Sequence, residues 1–111
     1  MNLPLYVDSQ GEQTNPGTST VMADTGAVSG PGVYEVMIMA SASAAAQMQV
    51  QHRNAANAAG VSDVCGFYVG ASAPAEFRAR FYLNTTERVR VMMDDALTGT
   101  AWVNIFMWQV Q

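Results

Sequence analysis

Residues 77–94 read FRARFYLNTTERVRVMMD. In the first half Phe77, Ala79, Phe81 and Leu83 fall on one side of an extended strand, and Arg78, Arg80 and Tyr82 on the other. In the second half Val89, Val91 and Met93 alternate in the same way with Arg88, Arg90 and Met92. A period of two sustained on both sides of a short polar break predicts two half-buried strands. Directly paired residues of an antiparallel hairpin share a face, so parity sets the register. A three-residue loop, Thr85 to Glu87, sets Leu83 against Val89 and Phe81 against Val91, keeping the apolar residues together. It also brings Arg78, Arg80, Arg88 and Arg90, four of the five bases in the chain, onto one hairpin face.

Working outward, residues 100–111, TAWVNIFMWQVQ, carry apolar side chains at both parities: Trp102, Phe106 and Trp108 against Val103, Ile105 and Met107. Residues 32–43, GVYEVMIMASAS, do the same, with Tyr34, Val36 and Ile38 against Val33, Met37 and Met39. A lone two-sheet sandwich needs one wet face per strand. The second faces, taken as Val33, Met37 and Met39 with Val103, Ile105 and Met107, are therefore expected to form a subunit interface. Residues 44–60 fit either a strand, with Ala46, Met48, Val50 and His52 alternating against three glutamines, or an alanine-rich helix; the strand is favoured because Val50 leaves the helical stripe. Residues 64–70, VCGFYVG, suggest another short strand. The DDALTG stretch ahead of Thr100 suits a hairpin loop.

Residues 1–31 contrast with all of this. They are rich in Gly, Pro, Ser and Thr and lack a sustained period, so they read either as an extended N-terminal arm or as a loop-rich start to the same domain. Leu3, Leu5 and Tyr6 are the arm's candidate contact residues. Six strands from Gly32 onward, with up to two more from the arm, predict an all-β chain: an antiparallel, jelly-roll-like β-sandwich over residues 32–111.

The 111 residues suit one domain. Half are hydrophobic and only 13 % are charged, against about 25 % in an ordinary globular protein. A net charge of −4 without any lysine argues against a generic nucleic-acid binder. One cysteine and one histidine exclude a Cys/His zinc cage and an intrachain disulfide. No stretch has the roughly 20 apolar residues of a membrane helix. Residues 1–31 do not resemble a signal peptide, so a cytosol-made protein is expected.

No catalytic residues are predicted, nor any metal or other cofactor. His52, the only histidine, lies in phase with Ala46, Met48 and Val50 and reads as a half-buried histidine with a backbone partner rather than a catalytic base. Cys65 reads as a small buried hydrophobe. Asp94 and Asp95 read as turn residues, because no further acid follows at calcium-loop spacing. The arginine face is the one polar cluster above background: either solvated, or a contact surface for a partner's carboxylates.

With these features in place the chain resembles the decoration, or cement, proteins of tailed bacteriophage capsids. The resemblance rests on the loose start LPLYVDSQGEQTNPGTSTVMADTGAVSGPG, then VYEVMIMASAS, EFRARFYLNTTERVRVMMDDALTGT and the closing WVNIFMWQV. It is one of size, layout and composition. It implies a homotrimer on the capsid surface of the virion, assembled in the host cytoplasm and clamping the major capsid protein, with no membrane or nucleic-acid partner. The arm and Arg78, Arg80, Arg88 and Arg90 would make the capsid contacts.

Two other classes share the predicted fold. A carbohydrate- or receptor-binding sandwich, as on a phage fibre, would use Trp102, Trp108, Tyr34 and Tyr68 as an exposed platform. A trimeric jelly roll of the tumour-necrosis-factor or complement type would normally be secreted.

Overall fold

A computed structural model describes residues 5–54 and 60–111, with side chains at 8–54 and 66–111. Among them run eight strands and no helix: β1 (Leu5–Thr14), β2 (Val21–Asp24), β3 (Gly32–Ala42), β4 (Ala46–Arg53), β5 (Gly60–Val69), β6 (Ala75–Leu83), β7 (Arg88–Met93) and β8 (Thr100–Gln109). They form two four-stranded sheets ordered β1-β8-β3-β6 and β2-β7-β4-β5. Every ladder is antiparallel. Successive strands alternate between the sheets except at β4–β5, and this interleaving is the jelly roll.

The core lies where alternation predicts it. On the first sheet Val36 faces Met107, Ile38 faces Ile105 and Ala40 faces Val103. On the second, Met48 faces Met93 and Val50 faces Val91. All ten are at most 3 % exposed. β-Branched and long aliphatic side chains fill this layer, each large one stabilising the fold by roughly 1.5–3 kcal/mol through burial. The segment with two competing periods is strand over 46–53, since Met48 and Val50 both complete the second sheet's inner face. The residues that would have extended a helix, 55–59, lie outside the described part.

Residues 5–31 do not stand apart from the sandwich. β1 is the edge strand beside β8, and β2 the edge strand beside β7. Where they cross, a Cβ on Gly11 would collide with the carbonyl oxygen of Met22, so only glycine fits this approach. Asn15, at φ 49°, donates its N–H to the Gly99 carbonyl at 2.6 Å and accepts the Gly99 N–H on Oδ1 at 2.9 Å. The turn after β1 is thereby fastened to the turn before β8.

The hairpin expected over residues 77–94 does not form. β6 pairs with β3, β7 pairs with β2 and β4, and the link between them passes from one sheet to the other. Leu83 and Val89 do both point inward, each fully buried, but from opposite sheets. The β7-to-β8 link likewise changes sheet and is not a hairpin.

Candidate ligand-binding face

The sheet crossing divides the expected arginine face. Arg78 and Arg80 stand on the outside of the first sheet, Arg88 and Arg90 on the outside of the second, so the sandwich separates the two pairs. All four already have company. Arg78 Nε donates to Glu76 at 2.6 Å and Arg80 Nε to Glu35 at 3.4 Å. Arg88 Nη1 lies 3.6 Å from Asp24, and Arg90 Nε donates to Gln51 Oε1 at 2.7 Å.

The expected interface set divides as well. Val103, Ile105 and Met107 point into the core and are at most 1 % exposed, so no second subunit can reach them in the folded chain. The reason is register: Met37 pairs with Phe106 and Met39 with Asn104, which puts the even residues of β8 outside. Val33 and Met37 are half-buried and Met39 is exposed on that outer face. Leu3 lies outside the described residues, and Leu5 and Tyr6 are placed only as backbone in β1.

The outer face of the first sheet is thus built by register. Glu12 sits across from Trp102 and Gln10 across from Asn104 on the β1 side. Ser41 and Met39 sit across from the same two residues on the β3 side. Trp102 is 41 % exposed. It borders a cleft of about 370 Å³ lined by Gln10, Gly11, Glu12 and Asn104. A second hollow of about 170 Å³ lies on its other flank, between Met39, Ser41 and Pro74. Among the described residues, the side chains of Gln10, Glu12 and Asn104 have no hydrogen-bond partner. Farther along β8, Phe106 and Trp108 stack on each other, centroids 6.4 Å apart and planes 24° from parallel.

Of the four aromatics considered for a platform, Trp102 and Trp108 share this face. Tyr34 is in the core, its hydroxyl donating to the Gly30 carbonyl at 2.8 Å. Tyr68 is 67 % exposed on the second sheet. The uncommitted polar residues of β1 escaped the sequence reading, although Asp8, Gln10 and Glu12 do alternate in DSQGEQT; the glycine among them and the polar residues at every position hid the strand.

The remaining chemistry is structural. His52 Nε2 lies 3.0 Å from Glu87 Oε1, with the imidazole edge-on to Phe81. Glu87 also accepts the Asn84 N–H at 2.8 Å. That bond, with a smaller contribution from His52, holds the carboxyl below its usual 4.5 against the opposing effect of burial. Asp95 Oδ2 accepts the Gln47 N–H at 3.2 Å, and the N–H groups of Asp94 and Asp95 both donate to the Gln47 carbonyl, which is turn chemistry. The Cys65 side chain lies outside the described ones. No cluster of metal-ligating side chains occurs among the described residues.

No protein-family model matches this chain, and no curated protein matches it. Solved structures do. The globular domain of zebrafish complement 1qA superposes with a TM-score of 0.63 at 12 % identity, covering 95 % of this chain and 98 % of that one. The CBM22-1 xylan-binding domain of Paenibacillus barcinonensis Xyn10C gives 0.62 at 12 % identity, covering 98 % and 96 %. A carbohydrate binding module of Cellvibrio mixtus lichenase 5A, solved with cellotriose, gives 0.52 at 9 % identity, covering 97 % and 91 %. None of the three is a capsid protein by its description, and at such identities the likeness is one of fold: an all-β, jelly-roll-like sandwich.

Proposed function

We propose that the chain is a carbohydrate-binding β-sandwich that holds a glycan against the outer face of the β1-β8-β3-β6 sheet. One observation carries this: an exposed indole, Trp102, stands beside a cleft whose amides and carboxylate, on Gln10, Asn104 and Glu12, have no partner among the described residues. A sugar ring presents a C–H face that packs on an aromatic ring, and a rim of hydroxyls that need both donors and acceptors. Amides supply both and a carboxylate accepts from two hydroxyls. The sugar-binding neighbours of the same fold, a xylan-binding domain and a module bound to cellotriose, support the reading.

The test is affinity electrophoresis and titration calorimetry with soluble xylan and mixed-linkage glucan, repeated on Trp102→Ala. Retardation by a polysaccharide that the variant no longer shows is expected. Absence of binding to every polymer tried would remove the proposal.

A second reading is self-association through the same face. It is supported by the apolar strip of Val33, Met37, Met39, Phe106 and Trp108, more than a soluble monomer usually leaves together. Sedimentation at tens of micromolar separates the two: a monomer counts against assembly, and a concentration-independent trimer supports it.

A further inference from the structure

The two hollows beside Trp102 point to a more specific ligand. Resting on the glycan reading above, we propose that the site takes an uncharged glycan of at least two sugar units, laid across the strands from the Glu12 side to the Pro74 side, and that it rejects acidic polysaccharides.

The length follows from where the hollows lie. They share Trp102 and Asn104 as a common wall, one opening over β1 and the other over β3. β1 and β3 flank β8, so the two hollows together reach across roughly two strand spacings, about 10 Å. One sugar ring fills one hollow. A chain of two or more, crossing β8 over Trp102, fills both.

The chemistry of the two ends differs. The β1 hollow offers two amides and a carboxylate, suited to a hydroxyl-rich edge. The β3 hollow is walled by Met39, Ala40 and Pro74 with Ser41 as its hydroxyl, suited to the less polar face of a ring. The ligand is therefore held with a direction.

The charge follows from which groups are engaged. Glu12 lines the cleft, and Asp8 lies on the same face of β1, opposite Phe106. The bases of this face, Arg78 and Arg80, are on the far strand β6 and already donate to Glu76 and Glu35. A carboxylated or sulfated sugar would set its charge against Glu12 with no cation in the cleft to answer it, within a chain that carries −4 overall.

The experiment is calorimetry with a length series of uncharged β-linked oligosaccharides, one to four units, alongside affinity electrophoresis in polygalacturonate at low salt. It is run on the intact chain and on its Trp102→Ala and Glu12→Gln variants. At least a roughly tenfold gain in affinity from one unit to two is expected, with no retardation by polygalacturonate. Glu12→Gln should weaken the uncharged ligand severalfold and admit the acidic polymer, and Trp102→Ala should lose the uncharged ligand. Equal affinity for one unit and two, or retardation of the unaltered chain by polygalacturonate, overturns the inference while leaving a glycan-binding protein. Undiminished binding by Trp102→Ala overturns the placement. Failure of every glycan to bind overturns the glycan reading and this inference with it.

Discussion

The two outer faces of the sandwich are built on the same plan and end in opposite conditions. On the second sheet polar side chains are spent on one another: Arg90 donates to Gln51, and Gln51 Nε2 donates to Gln49 Oε1 at 2.8 Å, so that Gln51 is only 4 % exposed. Arg88 leans on Asp24 in the same plane. On the first sheet the β6 side is similarly paired, but around Trp102 the amides and the carboxylate face solvent beside an exposed aromatic ring. A polar group already hydrogen-bonded within the protein has little left to offer a ligand, whereas an uncommitted one gives up only water. Recognition is therefore expected where the internal network stops.

That contrast can be broken in order of effect. The largest change comes from beneath the binding face. Ile105→Ala removes a fully buried side chain from β8 and should cost about 2–5 kcal/mol in denaturant unfolding. A loss below about 1 kcal/mol would mean that the faces of β8 are assigned the wrong way round. Trp102→Ala should leave the unfolding midpoint nearly unchanged yet weaken glycan binding roughly thirtyfold, the size of an aromatic hot spot. Significant destabilisation with binding intact would reverse the roles of core and platform.

Gln51→Ala, on the opposite face, should cost about 1–2 kcal/mol because Arg90 and Gln49 both lose a partner in a half-buried setting, with glycan affinity unaltered. A change in affinity would show that the faces are not independent.

The smallest effect belongs to Glu87. Its carboxyl is depressed in the folded chain relative to 4.5, so the stability it contributes is present above that pH and is lost as pH falls through the folded value. Glu87→Gln should lower Tm by about 2 °C at neutral pH, and the gap to the unaltered chain should close on acidification. A gap that widens in acid would contradict the direction of the shift.

How much of this was legible in the residues depends on what alternation reports. Period two distinguishes inside from outside and does so independently of partners, which is why Phe81, Leu83, Val89 and Val91 were placed correctly as inward. It is silent on which sheet a strand joins. Two strands facing one core from opposite sheets satisfy parity as well as a hairpin does, so β6 and β7 were paired with each other and their arginines gathered onto a face that does not exist. β8 posed a different difficulty, being apolar at both parities. A cue was available there: the odd positions from Ala101 to Met107 are aliphatic without exception, whereas the even ones include Asn104, and a polar side chain belongs outside unless something within receives it. In residues 5–31, edge strands with a partner on one side only need few apolar side chains, and β1 and β2 accordingly carried too little pattern to be told from loop. The same poverty of pattern concealed Gln10 and Glu12.

The position of β8 between β1 and β3 has a consequence for how the molecule comes into being. Leu5 pairs with Trp108 and Thr14 with Thr100, so the first of the eight strands must wait for the eighth before it has a neighbour in its sheet. Until β8 arrives, β3 and β6 can pair while β1 has no strand of its own sheet to pair with, and such distant pairings are slow to find. With synthesis at about 5–20 residues per second, the nascent chain spends several seconds with its inner surfaces uncovered. The cleft beside Trp102, whose walls come from β1 and β8, can then form only once β8 is in place.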